Sequence, residues 1–203
     1  MRAFLLPAAA LALLSGASLL DSASAQPLTG GVSITRGGGN TNTASGRFAE
    51  ADQAVATIGG LAGRGGRAIT YGGHNTNTAS GRFSQAFQDV TTVGGSAFGR
   101  GALARTYGGG NSNRATGFGS LADQSVTTIG GSAFGRGARS IVSGGHNQNL
   151  ASGRFATAQQ QVLTMGGSAG RFGLDRVSGG NNLNRATGFG SSASQQVVTM
   201  SGR

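Results

Sequence analysis

Residues 144–167 read Gly-Gly-His-Asn-Gln-Asn-Leu-Ala-Ser-Gly-Arg-Phe-Ala-Thr-Ala-Gln-Gln-Gln-Val-Leu-Thr-Met-Gly-Gly. The same pattern, Gly-Gly-x-Asn-x-Asn-x-Ala-x-Gly followed by Ala-x-Gln-x-Val-x-Thr, occurs five times along the chain. Successive copies are 35 or 36 residues apart, as their first asparagines show: Asn40, Asn75, Asn111, Asn147 and Asn182. A period of this length is typical of stacked supersecondary units rather than of one globular core.

Within each copy the invariant residues alternate with variable ones. Counted from the first asparagine as position zero, positions 0, 2, 4 and 6 are always Asn, Asn, Ala and Gly. Positions 11, 13, 15 and 17 are always Ala, Gln, Val and Thr. Alternation with a period of two predicts β-strands with one constant face, and the change of parity predicts a turn or bulge near positions 6 to 9.

A third segment follows the second Gly-Gly pair, and Ser96–Ala102 recurs letter for letter at Ser132–Ala138. Three short strands and three glycine corners therefore fill each repeat. We predict an all-β chain that forms a repeat β-solenoid of five repeats, about 36 residues each, with an amyloid-like stack on assembly. The glycine pairs leave one alternative open, in which units of 22 and 14 residues alternate.

The chain begins like an exported protein. Arg2, an apolar stretch that ends at Leu20, and the small-x-small site Ala23-Ser24-Ala25 predict a signal peptide over residues 1–25. Residues 26–36 form an N-terminal segment with a partial third strand, and residues 37–203 form the five-repeat solenoid. We expect a secreted, extracellular or cell-surface protein with no stable membrane span after the signal.

Composition separates this chain from ordinary domains. It has 40 glycines in 203 residues, no cysteine and no lysine, and its formal net charge is +10. Such a composition is close to that of disordered chains, but the constant register and the near absence of proline favour ordered strands. The charge favours anionic partners.

Stacked copies bring identical side chains together. Asparagine and glutamine can then pair their amides along the stack, which satisfies buried polar groups. We predict two structural ladders of this kind, formed by Asn40, Asn75, Asn111, Asn147 and Asn182 and by Gln53, Gln88, Gln124, Gln160 and Gln195.

Because Val32–Thr35 resembles the end of a third segment and the chain stops within a second strand, we expect head-to-tail contact between copies to complete a repeat.

Arginine is the main candidate for ligand binding. Four arginines fall at matching places in the third segment, and three more share position 7 of the first strand region. These anion-binding candidates are Arg64, Arg100, Arg136, Arg171, Arg47, Arg82 and Arg154. Such a stripe is suited to acidic polysaccharide, lipopolysaccharide or DNA, and it equally suits a role in limiting aggregation.

Nothing in the sequence indicates catalysis, a cofactor or a metal. The two histidines, His74 and His146, share a loop position, and the acidic residues are scattered. We therefore predict no catalytic and no metal site. A regular Thr row at position 17 suggests a binder of an ice or mineral surface, although such binding usually uses wider Thr arrays: Thr57, Thr92, Thr128, Thr164 and Thr199. Phe48, Phe83, Phe98, Phe134 and Phe155 are expected to fill corners of the core.

Tyr107-Gly-Gly-Gly-Asn-Ser112 and the order Gly-x-x-Asn, Ala, Gln resemble the curlin repeats of bacterial curli. The resemblance covers residues 30–203 as a pattern, although curlin repeats are shorter and this chain is unusually basic. It implies a β-solenoid subunit that is exported and nucleated into amyloid fibres of a biofilm matrix. Residues 144–153 also look like the head repeats of trimeric autotransporter adhesins, which carry a C-terminal membrane barrel.

Two functions remain open from the sequence. The first is a secreted structural subunit that self-assembles head to tail into cell-surface or biofilm-matrix fibres and mediates adhesion. The alternative is an extracellular β-solenoid module that holds an anionic polymer on its arginines. The dependence of the oligomeric state on protein concentration distinguishes the two, because a binding module stays monomeric at micromolar concentration whereas a fibre subunit polymerises.

Overall fold

A computed structural model describes residues 32–59 and 61–201. The predicted signal peptide and residues 26–31 lie outside the described residues. The chain is all-β, and its strands form parallel sheets stacked as a solenoid of about five coils. The prediction of an all-β repeat solenoid is confirmed.

Four walls run along the solenoid, which we call A, B, C and D. Wall A consists of β1 (Val32–Arg36), β5 (Arg67–Tyr71), β9 (Leu103–Tyr107), β13 (Arg139–Ser143) and β16 (Leu174–Ser178). Wall B consists of β2 (Gly39–Ser45), β6 (His74–Ser80), β10 (Gly110–Thr116), β14 (His146–Ser152) and β17 (Asn181–Thr187). Wall C consists of β3 (Glu50–Ile58), β7 (Gln85–Val93), β11 (Leu121–Ile129), β15 (Thr157–Gly166) and β18 (Ser192–Ser201). Wall D is short, with β4 (Ala62–Arg64), β8 (Ala97–Phe98) and β12 (Ala133–Phe134).

The strand register decides the size of the coil. Each strand pairs in parallel with its counterpart in the next copy, so that Gln88 lies opposite Gln124 and Asn111 opposite Asn147. One repeat is therefore one coil of about 36 residues, and the alternation of 22- and 14-residue units does not occur. The third segment differs from the prediction of a single strand, because a glycine corner divides it between wall D and wall A.

The interior is narrow and is filled by small residues. Alternate residues of each strand point inward, and the central coils bury alanines of walls B and C in one cluster and alanines of walls A and D in another. Val90, Val126 and Val162 form a third cluster in wall C. Small side chains let the walls approach closely, so close packing and backbone hydrogen bonds replace a large aliphatic core.

Glycine is required where two walls meet without room for a Cβ atom. A Cβ atom on Gly130, at the corner after wall C, would overlap Cγ2 of Val142 in wall A. At the corner between walls A and B, a Cβ atom on Gly108 would lie 2.4 Å from Oγ1 of Thr128 and 2.7 Å from the carbonyl oxygen of Gly144. Both distances are too short for a real contact. The paired glycines of the repeat thus mark close contacts between walls.

The threonine row of position 17 faces inward. Thr57, Thr92, Thr128 and Thr164 are buried, and each hydroxyl lies over the glycine corner between walls A and B. The row therefore offers no surface to ice or a mineral. The parity of wall C explains this, because position 17 shares the inner face with the invariant Ala, Gln and Val.

The phenylalanines lie at corners, but the prediction that they belong to the core is wrong. Phe48 is 73% exposed and Phe83 is 38% exposed at the corner between walls B and C. The rings form a continuous outer column with centroids 5.5–6.1 Å apart, in which the first two rings are nearly parallel and the later neighbours pack edge to face. The column consists of Phe48, Phe83, Phe118, Phe155 and Phe189. Phe98 and Phe134 stack with nearly parallel rings on wall D, 5.7 Å apart.

The phenyl column stays continuous although its residues alternate between positions 7 and 8 of the repeat. Copies three and five carry Phe118 and Phe189 at position 7, and glycines with positive φ, Gly119 and Gly190, follow them. Each of these glycines leaves the space that the ring of the coil below, Phe83 or Phe155, occupies. The exchange of Arg-Phe for Phe-Gly therefore preserves the ring stack.

The described residues contain strands and corners only, so no helix among them has the length and apolar character needed to cross a membrane.

The wall contacts predict different costs for two glycine substitutions. We expect Gly130→Ala to lower the free energy of unfolding by about 1–3 kcal/mol, because the new methyl group must displace Val142. Gly38→Ala is the control, since its Cβ atom meets nothing within 4 Å and its φ is not positive. Chemical denaturation followed by circular dichroism measures both, and equal stability of the two variants would contradict the close contact.

Candidate functional site

The first asparagine of each repeat forms a hydrogen-bonded column in wall B. Asn75 donates from Nδ2 to Oδ1 of Asn111 at 2.8 Å, and Asn111 donates to Asn147 at 2.8 Å. The column begins with the bond from Asn40 to Asn75 at 2.9 Å and ends with the bond from Asn147 to Asn182 at 2.7 Å. All five asparagines of the predicted ladder are thus joined.

The same asparagines also hold the corner between walls A and B. Nδ2 of Asn147 donates a second hydrogen bond to the carbonyl oxygen of Gly144 at 3.0 Å, and Asn182 does the same to Gly179 at 2.9 Å. Both amide hydrogens of Asn147 are therefore used, one along the stack and one within the coil. This explains why a residue with an amide is repeated at a buried position.

The glutamine column in wall C runs in the opposite direction. Gln124 donates from Nε2 to Oε1 of Gln88 at 2.6 Å, and Gln160 donates to Gln124 at 2.7 Å. Gln88 donates to Gln53, and Gln195 donates to Gln160, both at 2.7 Å. Glutamine amides therefore point their donors toward the first coil, whereas the asparagine column donates toward the last coil.

A second asparagine column was not predicted as a ladder. Asn77 donates to Asn113, Asn113 to Asn149 and Asn149 to Asn184, each at 3.0 Å. Nδ2 of Asn113 also reaches the carbonyl oxygens of Ala86 and Asp123 at 2.9 and 2.7 Å, so this column ties wall B to wall C. The signal was present in the sequence, since position 2 is as invariant as position 0.

The columns leave hydrogen-bond donors and acceptors without partners on both end coils. Among the described residues, no donor reaches Oδ1 of Asn40, and Asn182 keeps one amide hydrogen that faces away from the stack. In the other column, Gln53 accepts a bond but donates none, and Gln195 donates a bond but accepts none. The donors and acceptors left unpaired on the first coil are therefore complementary to those left unpaired on the last coil.

Three of the predicted arginines lie beside the phenyl column at the corner between walls B and C. The guanidinium carbons of Arg47, Arg82 and Arg154 lie 5.7–5.8 Å from the ring centroids of the phenylalanines that follow them. Arg154 also lies 5.7 Å from the ring of Phe189. These cation–π contacts order exposed arginines along one edge of the rod.

The other predicted arginines belong to a different corner. Arg100, Arg136 and Arg171 are exposed between walls D and A, where Gly101 and Gly137 donate to the carbonyl oxygens of the next arginine in the column. Arg64 does not match them, because a register shift in the first coil pairs it with Phe98. Six of the seven candidates thus form two separate groups of three rather than one stripe, and Arg64 belongs to neither.

Five arginines that sequence reasoning missed lie on the outer face of wall A. Each strand of this wall has one outward arginine, and each is exposed: Arg36, Arg67, Arg105, Arg139 and Arg176. They occupy three different positions along their strands, so no repeat position reveals them. Only the strand register brings them onto one surface.

The outer face of wall C has the opposite charge. Glu50, Asp52, Asp89 and Asp123 point outward from it, and no arginine does.

Partial burial raises the pKa of the Asp123 carboxyl, while a backbone hydrogen bond from Gln124 acts in the other direction. The contribution of Asp123 to folding stability therefore falls as the pH rises through its pKa. Burial also raises the pKa of Tyr107 on wall A.

The residues that most often perform catalysis are dispersed. His74 and His146 are exposed at the start of wall B strands, and Nδ1 of His146 lies 3.1 Å from Nδ2 of Asn181. Among residues 32–59 and 61–201, no group of three or more His, Cys, Asp or Glu side chains is placed to hold a metal ion.

The central glutamine column makes a stability prediction. Gln124→Leu leaves Oε1 of Gln88 without its donor and Nε2 of Gln160 without its acceptor, so we expect a loss of about 2 kcal/mol or more in the free energy of unfolding. Gln161→Leu changes an outward-facing glutamine and should cost less than about 0.5 kcal/mol. Denaturant titration compares the two variants, and a Gln124→Leu protein as stable as the control would contradict the column's role.

No protein-family model, no curated protein and no solved structure matches this chain. The resemblance to curlin repeats therefore rests on the motif residues, and the function must be argued from the chain's own surfaces.

Proposed function

We propose that this protein is a secreted structural subunit that polymerises head to tail into cell-surface or matrix fibres. The observation that carries the proposal is the matching of the two end coils. In walls A, B and C every strand of an inner coil is paired on both sides, whereas β18 of the last coil leaves inward residues such as Val197, 44% exposed, open to solvent. Open edges of parallel strands are templates for further pairing.

A second copy fits the open end in the register of the repeat. With Asn40 of the next copy above Asn182, wall C continues with Gln53 above Gln195 and Val55 above Val197. Outside the rod, Ile34 falls above Arg176 and Thr43 above Arg185, so no arginine meets another. Wall D skips one coil in this joint, because the described part of the last coil has no wall D strand.

Ladder direction supports one polarity of assembly. In a head-to-tail joint, the free amide hydrogen of Asn182 meets Oδ1 of Asn40, and the free amide of Gln53 meets Oε1 of Gln195. Two first coils placed face to face would instead oppose acceptor to acceptor in the asparagine column. Both columns therefore favour the same polar fibre.

Asp175 provides independent support. It stands in the last coil of wall A at an inward position that alanine or serine occupies in the other coils. One carboxylate oxygen accepts from Ser201 at 3.0 Å, and the other, Oδ1, is buried without a hydrogen-bond partner among the described residues. In the joint, the hydroxyl of Ser33 from the next copy would lie beside it and can donate to it.

Fibre formation is the first expected outcome. The strand pairing of the described chain lies within residues 32–201, so a purified chain of residues 26–203 contains every strand that the structure describes. At micromolar concentration and neutral pH it should form fibres with a diffraction spacing of about 4.8 Å along the axis. A chain that remains monomeric and β-rich would overturn the proposal.

A single substitution tests the joint. Gln195→Lys keeps a donor for Gln160 but removes the acceptor that Gln53 of the next copy needs and places a charge in the joint. Burial of an unpaired charge should weaken addition to that end by roughly 100-fold. Gln196→Lys, which adds the same charge at the neighbouring outward position, is the matched control and should elongate normally.

Seeding distinguishes the two ends. Gln195→Lys subunits can still add by their first coil to the last coil of a wild-type seed, and they then block that end. We therefore expect small amounts of this variant to stop growth of wild-type seeds at one end, as seen by microscopy of labelled fibres. Growth of wild-type fibres at an unchanged rate would contradict the polar joint.

The second candidate is a module that binds an anionic polymer at the corner between walls B and C. Its support is the exposure of Arg47, Arg82 and Arg154, whose guanidinium groups are ordered by neighbouring rings. Such a module would bind heparin with a strong dependence on salt and remain monomeric. A fibre can also bind an anionic polymer through these arginines. Polymerisation still distinguishes the two candidates, because the binding module is expected to remain monomeric.

A further inference from the structure

The outer face of wall A combines positive charge with apolar side chains. Its fifteen outward positions hold five arginines, six aliphatic residues, two tyrosines and two serines, and no acidic residue. The aliphatic residues are Val32, Ile34, Ile69, Leu103, Ile141 and Leu174. Of these, Val32, Ile34 and Leu174 are 50–59% exposed. A flat wall of this composition is unusual for a surface that faces only water.

The arginines of wall A are separated from one another by the strand register. Arg67 lies between Val32 and Leu103, Arg105 between Ile69 and Ile141, and Arg139 between Leu103 and Leu174. No two arginines of this wall are directly opposite on neighbouring strands. Each guanidinium group therefore stands on an apolar surround along which its methylene groups can lie.

We propose that wall A is a docking face for the surface of a lipid bilayer that carries anionic phosphate headgroups. Arginine binds phosphate through paired donors, and the aliphatic side chains between the arginines can enter the region just below the headgroups. Tyr71 and Tyr107, in register at the edge of the wall, have the amphipathic character that suits this interface.

A groove on this wall adds a specific feature. It is shallow, has a volume of about 360 Å³, and is lined by Arg67 and Arg139 with Leu103 and Ile141 between and beside them. The two arginines are two strands apart, which is about 10 Å in a β-sheet. The phosphate of a lipid headgroup would lie between the two arginines, and the acyl chains of the same lipid would meet Leu103 and Ile141.

Nucleic acid and acidic polysaccharide fit the face less well. Their charges would engage the arginines, but the aliphatic side chains would gain nothing from a polar backbone. Single-stranded nucleic acid also favours open aromatic platforms, whereas Tyr71 and Tyr107 pack edge to face with each other at 6.2 Å. The mixture of charge and apolar surface therefore favours an amphiphilic partner over a purely anionic one.

This inference goes beyond fibre formation and does not depend on it, because one subunit carries the whole face. The test uses residues 26–203 below the concentration at which fibres form, checked by light scattering without lipid. Sedimentation with vesicles of equal amounts of phosphatidylglycerol and phosphatidylcholine measures binding, and vesicles of phosphatidylcholine alone are the control. We expect binding to the anionic vesicles that decreases with added salt.

Two triple variants with equal charge locate the face. Arg67→Gln, Arg105→Gln and Arg139→Gln together should lower the partition constant for anionic vesicles by about 100-fold. Arg47→Gln, Arg82→Gln and Arg154→Gln remove the same charge at the corner between walls B and C, which does not border wall A. This control should change the constant by less than about threefold, through net charge alone.

A third variant tests the apolar part of the proposal. Ile69→Thr, Leu103→Thr and Ile141→Thr keep every arginine and retain strand-compatible side chains, so circular dichroism should be unchanged. We expect vesicle binding to fall about tenfold while binding to double-stranded DNA or heparin stays the same.

Three results would overturn the proposal. The first is equal loss of vesicle binding in the two arginine triples, which would indicate attraction by net charge without a defined face. The second is unchanged vesicle binding in the threonine variant. The third is binding to DNA or heparin but not to anionic vesicles, which would assign the wall A arginines to another class of polymer.

Discussion

The structure depends on the parallel stacking of identical residues at a spacing of one strand. Because each coil repeats the amides of the coil below, the inward asparagine and glutamine side chains have copies of themselves within hydrogen-bond reach. Asn111 and Gln124 are almost completely buried, yet each amide both donates and accepts along its column. An unpaired amide at such a depth would be strongly destabilising, so strict repetition of these residues is a condition for the fold.

The small cross-section follows from the same constraint. The walls approach so closely that the interior accepts alanine, serine, threonine, valine and amides, while glycine is needed where corners meet side chains of another wall. Large apolar residues are therefore displaced to the outside. Phe118 and Phe155 pack edge to face at the corner between walls B and C, and Ile69 and Ile141 lie on the outer face of wall A. A narrow rod with a polar-containing interior thus acquires an apolar and charged exterior.

Charge is distributed by wall, which gives the rod distinct sides. Outward arginines occupy every strand of wall A, whereas the outward acidic residues of the described chain are on wall C. A polymer built by the polar joint would extend each side along its whole length. The end coils and the side walls therefore serve separate purposes in the two proposals: the end coils join copies, and wall A meets a partner of different chemistry.

The sequence by itself determined the all-β class, the coil of about 36 residues as one of two options, the turn between walls B and C, and the residues of the first asparagine and glutamine columns. These follow from period and parity, which are local properties of the chain. Tertiary structure decided the choice of coil, the division of the third segment, the inward direction of Thr92 and Thr128, and the exposure of the phenyl column. It also decided the arginine face of wall A, because Arg67, Arg105 and Arg139 occupy no common repeat position and become neighbours only through pairing between coils.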